Sequence, residues 1–165
     1  MRRLIRNEQE QRLAVADLTT PEGVETFASL LDGIIVTVVY SDPPWNPGNE
    51  KFWRRHARAS ASVGYDALLD GWCRCVVACK PEHVFVEQSV NPKHKQMLLD
   101  AIARCSGWRL PFLEEWTVGY GNPRRPNALL HFGHEKLTTN PSGMNGIGMT
   151  REVFRGLTLR PGTAV

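Results

Sequence analysis

The sequence predicts an α/β fold with a mainly parallel sheet and a late antiparallel pair. Three observations carry this. Amphipathic helical stretches alternate with short β-branched runs, the order that builds βαβ units. One run, "IIVTVVY" at 34–40, is apolar almost throughout. That suits a central strand covered on both faces. Two later runs flank the loop "NPRRP" and read as a hairpin.

The elements follow in order. "TPEGVETFASLLDG" (20–33) reads as a helix. Thr20 suits the N-cap, Pro21 the first helical position and Glu22 the first turn. Phe27, Leu30 and Leu31 form its apolar side, and Gly33 closes it before the strand 34–40. "YDALLDGWCRCVVACK" (65–80) carries Leu68, Leu69, Trp72, Val76 and Cys79 at helical spacing. Pro81 ends it, and "HVFVEQS" (83–89) follows as a strand. "PKHKQMLLDAIARC" (92–105) repeats the amphipathic pattern through Met97, Leu98, Ala101, Ile102 and Cys105. "EEWTVGYG" (114–121) and "NALLHFG" (127–133) form the hairpin.

Composition narrows the function classes. The formal charge of +3 permits a nucleic-acid partner without requiring one. No apolar run reaches the length of a membrane span, and "MRRLIRNEQEQ" lacks the apolar core of a secretory signal. The expected location is cytoplasmic. The four cysteines, Cys73, Cys75, Cys79 and Cys105, lack paired C-x-x-C spacing. They read as small apolar residues of packed helices, and no metal site is expected. His131 and His134 read as ordinary for want of a third ligand.

"SDPPW" (41–45) occupies the carboxyl end of the run 34–40, where open α/β sheets place their ligands. A strand ending in Asp-Pro-Pro-Trp resembles the catalytic signature of the S-adenosylmethionine-dependent amino-methyltransferases. These methylate N6 of adenine or N4 of cytosine, mostly in DNA. By ordinary residue frequencies such a pattern arises in fewer than about one chain per hundred of this length. The resemblance extends over 13–165 in the order and type of its elements, though only "DPPW" is highly specific. It implies an incomplete, Rossmann-like class I methyltransferase sheet, with residues 1–165 forming one partial catalytic domain. It also implies roles for Asp42, Pro43, Pro44 and Trp45. The amine of a base is a poor nucleophile because its lone pair is delocalised into the ring. Asp42 accepts one N–H and the Pro43 carbonyl the other. Proline's fixed φ holds that carbonyl in place. Trp45 stacks on a base flipped out of its duplex.

The resemblance further implies S-adenosylmethionine as cofactor, with an acid near Asp17 beside it. A strand–acid–Gly-x-Gly loop should complete the cofactor site. The glycine-rich candidate is "NPSGMNGIGMTREVF", which brings in Asn140 and Gly143, but a polar stretch precedes it. The alternative is a permuted order. There "MTREVFRGL" is a helix, "LRPGTAV" is a turn and the start of a strand, and the loop lies beyond Val165. On that reading either a second polypeptide supplies it or the chain is a truncated remnant without activity.

Asn46 and Asn49 are candidates for loop capping or base contact. Arg54, Arg55, Arg124 and Arg125 are candidates for phosphate contact, or else for a solvated basic surface. Aspartate in the first motif position leans to adenine. The leading expectation is an N6-adenine DNA methyltransferase. An RNA adenine methyltransferase and a non-enzymatic, partner-binding remnant are the alternatives.

Overall fold

A computed structural model describes residues 13–57, 63–120, 127–135 and 157–161. The elements run α1 (Pro21–Ser29), β1 (Val38–Ser41), α2 (Pro47–Ala57), α3 (Tyr65–Cys79) and β2 (His83–Ser89). They continue with α4 (Pro92–Arg104), β3 (Phe112–Tyr120), β4 (Asn127–Gly133) and β5 (Leu157–Pro161).

Local chemistry sets the helix ends. Thr20 caps α1, its hydroxyl accepting from the Gly23 N–H at 3.0 Å, with Pro21 behind it. Asn91 caps α4 in the same way through the Lys93 N–H. The Lys80 backbone turns left-handed after α3, with φ 47°, and Pro81 prevents the helix from continuing.

The sheet order is β1-β2-β4-β3-β5. Among the described residues only β1 and β2 pair in parallel; β2–β4, β4–β3 and β3–β5 are antiparallel. This corrects the expectation of a mainly parallel sheet. The helix–strand alternation does give β1, β2 and β3 one direction. The returning strand β4 then inserts between β2 and β3 and turns two would-be parallel neighbours into antiparallel ones. Leu157–Pro161 likewise form a strand beside β3, so Arg160 and Pro161 are not the expected turn. The rest of the expected helix 149–157 lies outside the described residues.

The expectation for 34–40 is also corrected. Among the described residues only 38–41 join the ladder, and β1 is an edge strand rather than a central one. The ladder starts late because β2 starts late. The Glu82 and His83 N–H groups both donate to the Thr37 carbonyl. Pro81 before them has no N–H to extend the pairing. Ile35 upstream is consequently 95% exposed, and Val38 and Tyr40 are exposed as well.

Strand periodicity sorts the two faces. Val39, Val84, Val86, Ala128, Leu130 and Phe132 meet α3 and α4, which contribute Tyr65, Leu69, Trp72, Cys73, Leu98 and Ala101. The opposite face carries Tyr40, Phe85, Glu87, Leu129 and His131. His131 is fully buried there, stacked on Phe85 at 4.4 Å. It lies 3.1 Å from His83 and 3.2 Å from Glu114. Burial holds its pKa below the ordinary value, against the pull of Glu114. The thiols of Cys73 and Cys75 are free and buried, and burial pushes Cys75 up to about 11. No group of three or more His, Cys, Asp or Glu among the described residues is arranged to hold a metal ion. No described helix is long and apolar enough to cross a membrane.

Candidate active site

The site is built where β1 stops. Val39 packs against the core, and the Trp72 indole N–H donates to Ser41 Oγ at 3.0 Å. Ser41 is the last residue in register with β2, opposite Val86. Pro43 and Pro44 follow Asp42 and cannot donate to any ladder, so the chain leaves the sheet at Asp42. Asn46 then starts α2, its Oδ1 accepting from the Asn49 N–H at 2.9 Å. Pro47 occupies the first helical position. The strand end, rigid turn and new helix enclose a cleft of about 410 Å3. Its lining is Asp42, Pro43, Pro44, Trp45, Asn49 and Trp53.

Within the turn, the Trp45 indole N–H donates to Asp42 Oδ1 at 2.9 Å. The carboxylate and indole that the sequence sets side by side are thus bonded to each other. Asp42 itself lines the cleft, and its second carboxylate oxygen is not bonded to Trp45. Desolvation raises the Asp42 pKa above the usual carboxylate value, and the charge of Glu87 adds to this; the Trp45 hydrogen bond opposes both.

Glu87 is the acid next to Asp42 on β2, one step beyond the Ser41–Val86 pair. It is only 3% exposed. The Tyr40 hydroxyl donates to its Oε1, and Asn127 Nδ2 donates to its Oε2 at 3.4 Å. Sequence reasoning passed over Glu87, although a charged residue inside the apolar run "HVFVEQS" was a visible signal. It also passed over Trp53, whose signal was its spacing of four from Asn49 on one helix.

Asp17 and Arg54, expected on the cofactor and phosphate sides, are brought together. Arg54 Nη1 lies 3.0 Å from Asp17 Oδ2, and Nη2 lies 3.2 Å from Oδ1. The same guanidinium donates to Thr19 Oγ1 at 3.0 Å and pairs with Glu50 one turn back in α2. The Arg54 hydrogen bond, helped by those from Thr19, holds the Asp17 carboxyl at about 2 despite some desolvation. This network ties residues 17–19 to α2. Arg55 is exposed on α2, whereas Asn46 is spent on the helix cap. Arg124, Arg125, Asn140 and Gly143 lie outside the described residues.

No family model, curated protein or solved structure matches the chain. The functional reading therefore rests on the residues of this cleft.

Proposed function

We propose that the chain is an amino-methyltransferase domain acting on the N6 amine of adenine in DNA, with S-adenosylmethionine as the methyl donor. The observation that carries this is the cleft at the carboxyl end of β1. It is walled by Asp42, both prolines and Trp45, and Asp42 keeps one oxygen free of Trp45. The order of elements around it supports the reading. A parallel strand β2 follows the motif strand, and an antiparallel pair, β3 and β4, lies beyond it. This is the sequence of elements that the resemblance implies for residues 83–133, within a Rossmann-like sheet.

The chemistry concerns the acceptor base. Asp42 takes one amine N–H and the Pro43 carbonyl the other, drawing the nitrogen lone pair out of conjugation with the ring. The nitrogen gains a methyl and loses a proton. The raised Asp42 pKa makes its carboxylate a better acceptor for that N–H than an ordinary aspartate. Trp45 offers its face to the base.

The one described residue that the resemblance assigns to S-adenosylmethionine, Asp17, is already engaged: Arg54 bonds both of its carboxylate oxygens and Thr19 bonds Oδ1. No step through the cofactor is derived from this chain. A second polypeptide supplying the cofactor loop accords with this. One observation also favours the second reading, a partner-binding subunit without activity of its own. Among the described residues β1 pairs on one side only, and its Val38 and Tyr40 are exposed, as is Ile35 before it. An apolar edge strand of this kind is a template for another chain.

The test is transfer of a radiolabelled methyl group to adenine-containing duplex DNA by the full chain, with and without co-expressed partners. RNA is assayed alongside. Asp42→Ala should abolish incorporation and leave the circular dichroism spectrum unchanged. Incorporation that survives Asp42→Ala refutes the chemistry. Incorporation into RNA alone moves the assignment to the RNA alternative.

A further inference from the structure

We propose that α2 supplies the second wall of a nucleobase clamp. Trp53 stacks on the face of the base opposite Trp45, and Asn49 hydrogen-bonds to its edge. The proposal rests on the reading of the cleft as a base site, but it assigns a role to residues outside the Asp-Pro-Pro-Trp motif.

The placement comes from helix geometry. Asn49 and Trp53 are four residues apart in α2, so both project from one stripe of the helix into the same cleft. The adjacent stripe, Glu50 and Arg54, is the one bound to Asp17 and Thr19. One stripe fixes the helix to the body of the protein, and its neighbour faces the cleft. The Asn46 cap fixes the start of α2 a few residues after Trp45. The two indoles are therefore held by a short, rigid connection.

The side chains are available. Trp53 is 58% exposed although it lines a cleft. Its ring makes a T-shaped contact with Phe52 at 5.2 Å. Trp45 and Trp53 line the same cleft and make no ring contact with each other. A volume of about 410 Å3 lies in the roughly 300–1,000 Å3 range of small-ligand clefts.

The polar groups name the ligand. The Asn49 bond to Asn46 uses its backbone N–H, and its side-chain amide has no hydrogen-bond partner among the described residues. An amide offers one donor and one acceptor on the same edge. With both N6 hydrogens held by Asp42 and the Pro43 carbonyl, the Asn49 amide N–H is the group left to donate to N7 of adenine. Asp42 adds an acceptor and no donor, again suited to an exocyclic amine. The exposed cation Arg55 follows Trp53 by two residues, where a flanking phosphate can be met.

The experiment uses the full chain and a fluorescein-labelled, single-stranded oligothymidine carrying one central deoxyadenosine. Binding is followed by anisotropy, and the all-thymidine strand serves as reference. The wild type should prefer the adenine-containing strand. Trp53→Ala should weaken its binding roughly 10-fold or more, the effect of one lost stacking surface. Trp53→Phe should recover most of the loss. Asn49→Ala should erase the preference for adenine while leaving affinity for the all-thymidine strand unchanged. Circular dichroism checks that each variant is folded. Equal binding by wild type and Trp53→Ala, or a wild type that does not distinguish the strands, overturns the clamp. Trp53-dependent binding without any methyl transfer would remove the enzymatic reading and leave the clamp standing. Methyl transfer that is indifferent to Trp53 would do the reverse.

Discussion

Replacing Asp17 by asparagine isolates the charge that holds α2 to the segment before α1. The substitution is nearly isosteric. Its carbonyl oxygen still accepts from the Thr19 N–H and hydroxyl, as Asp17 Oδ1 does now. What is lost is the ion pair with Arg54. The Asp17 carboxyl lies at about 2 against its ordinary 3.8. That difference corresponds to roughly 2.4 kcal/mol as an upper limit. The Asp17 side chain is 31% exposed against 13% for Arg54, so solvent screens the pair. The expected loss is therefore about 1 kcal/mol at pH 7. In a thermal melt this is roughly 2–4 °C for a chain of this size. The sign follows from the direction of the shift. A depressed carboxylate stabilises the fold above its unfolded value, and the benefit fades as pH falls through the folded value. The gap between wild type and Asp17→Asn should be constant from pH 7 to pH 5. It should shrink to roughly half by pH 3. Urea unfolding at the three pH values measures it. A gap that keeps its size at pH 3 would mean that packing, and not the charge of Asp17, is responsible.

The remaining predictions are shorter. Asp42→Asn should raise the urea midpoint at neutral pH, because an ionised carboxylate partly removed from water beside Glu87 works against folding. For a raised carboxyl the deficit exists above the folded pKa and disappears below 3.8, so the gain should vanish in acid; an asparagine variant no more stable than wild type at pH 7 argues against a strained acid. Gly71→Ala should lower stability by about 1–3 kcal/mol in the same assay, since a Cβ there would run into the Leu18 carbonyl where the chain before α1 crosses α3. A neutral result would show that this crossing is looser than described.

What was legible in the sequence was mostly what is local. β2 and β4 coincide with the predicted runs 83–89 and 127–133, and α3 and α4 match theirs to within a residue. Their boundaries are written in proline, asparagine and glycine beside uniform apolar patterns. The place of β1 was not legible. The run "IIVTVVY" tells how apolar a strand is, not which strands flank it. Its pairing is limited by Pro81, more than 40 positions away. The insertion of β4 between β2 and β3 is equally non-local, because the same hairpin could attach to either side of β3. In the site, Asp42 to Trp45 were legible because two prolines after a strand compel an exit from the sheet. Arg54 was legible only as a cation. Its partner Asp17 lies 37 residues away, and no local pattern joins them. Trp53 stood in a basic stretch, where one aromatic is easily taken for surface.

The register of β1 explains why Asp42 lines the cleft and does not enter the core. Side chains alternate along the strand. Val39 packs against the helix layer, and Ser41 on the same face meets the Trp72 indole. Tyr40 faces the other way, over Glu87, and Asp42 follows it on that side. A slip of one residue against β2 would reverse each of these and drive the carboxylate into the core beside Leu69 and Val86. Three features oppose the slip. Val39 is held in the core, Ser41 receives a directed hydrogen bond from a buried tryptophan, and Pro81 blocks pairing before Glu82. None of the three lies in the Asp-Pro-Pro-Trp motif. The motif supplies the chemical groups, while Trp72 and Pro81 decide where those groups are aimed. A search for the determinants of this site that stopped at residues 42–45 would therefore miss the side chains that make the motif usable.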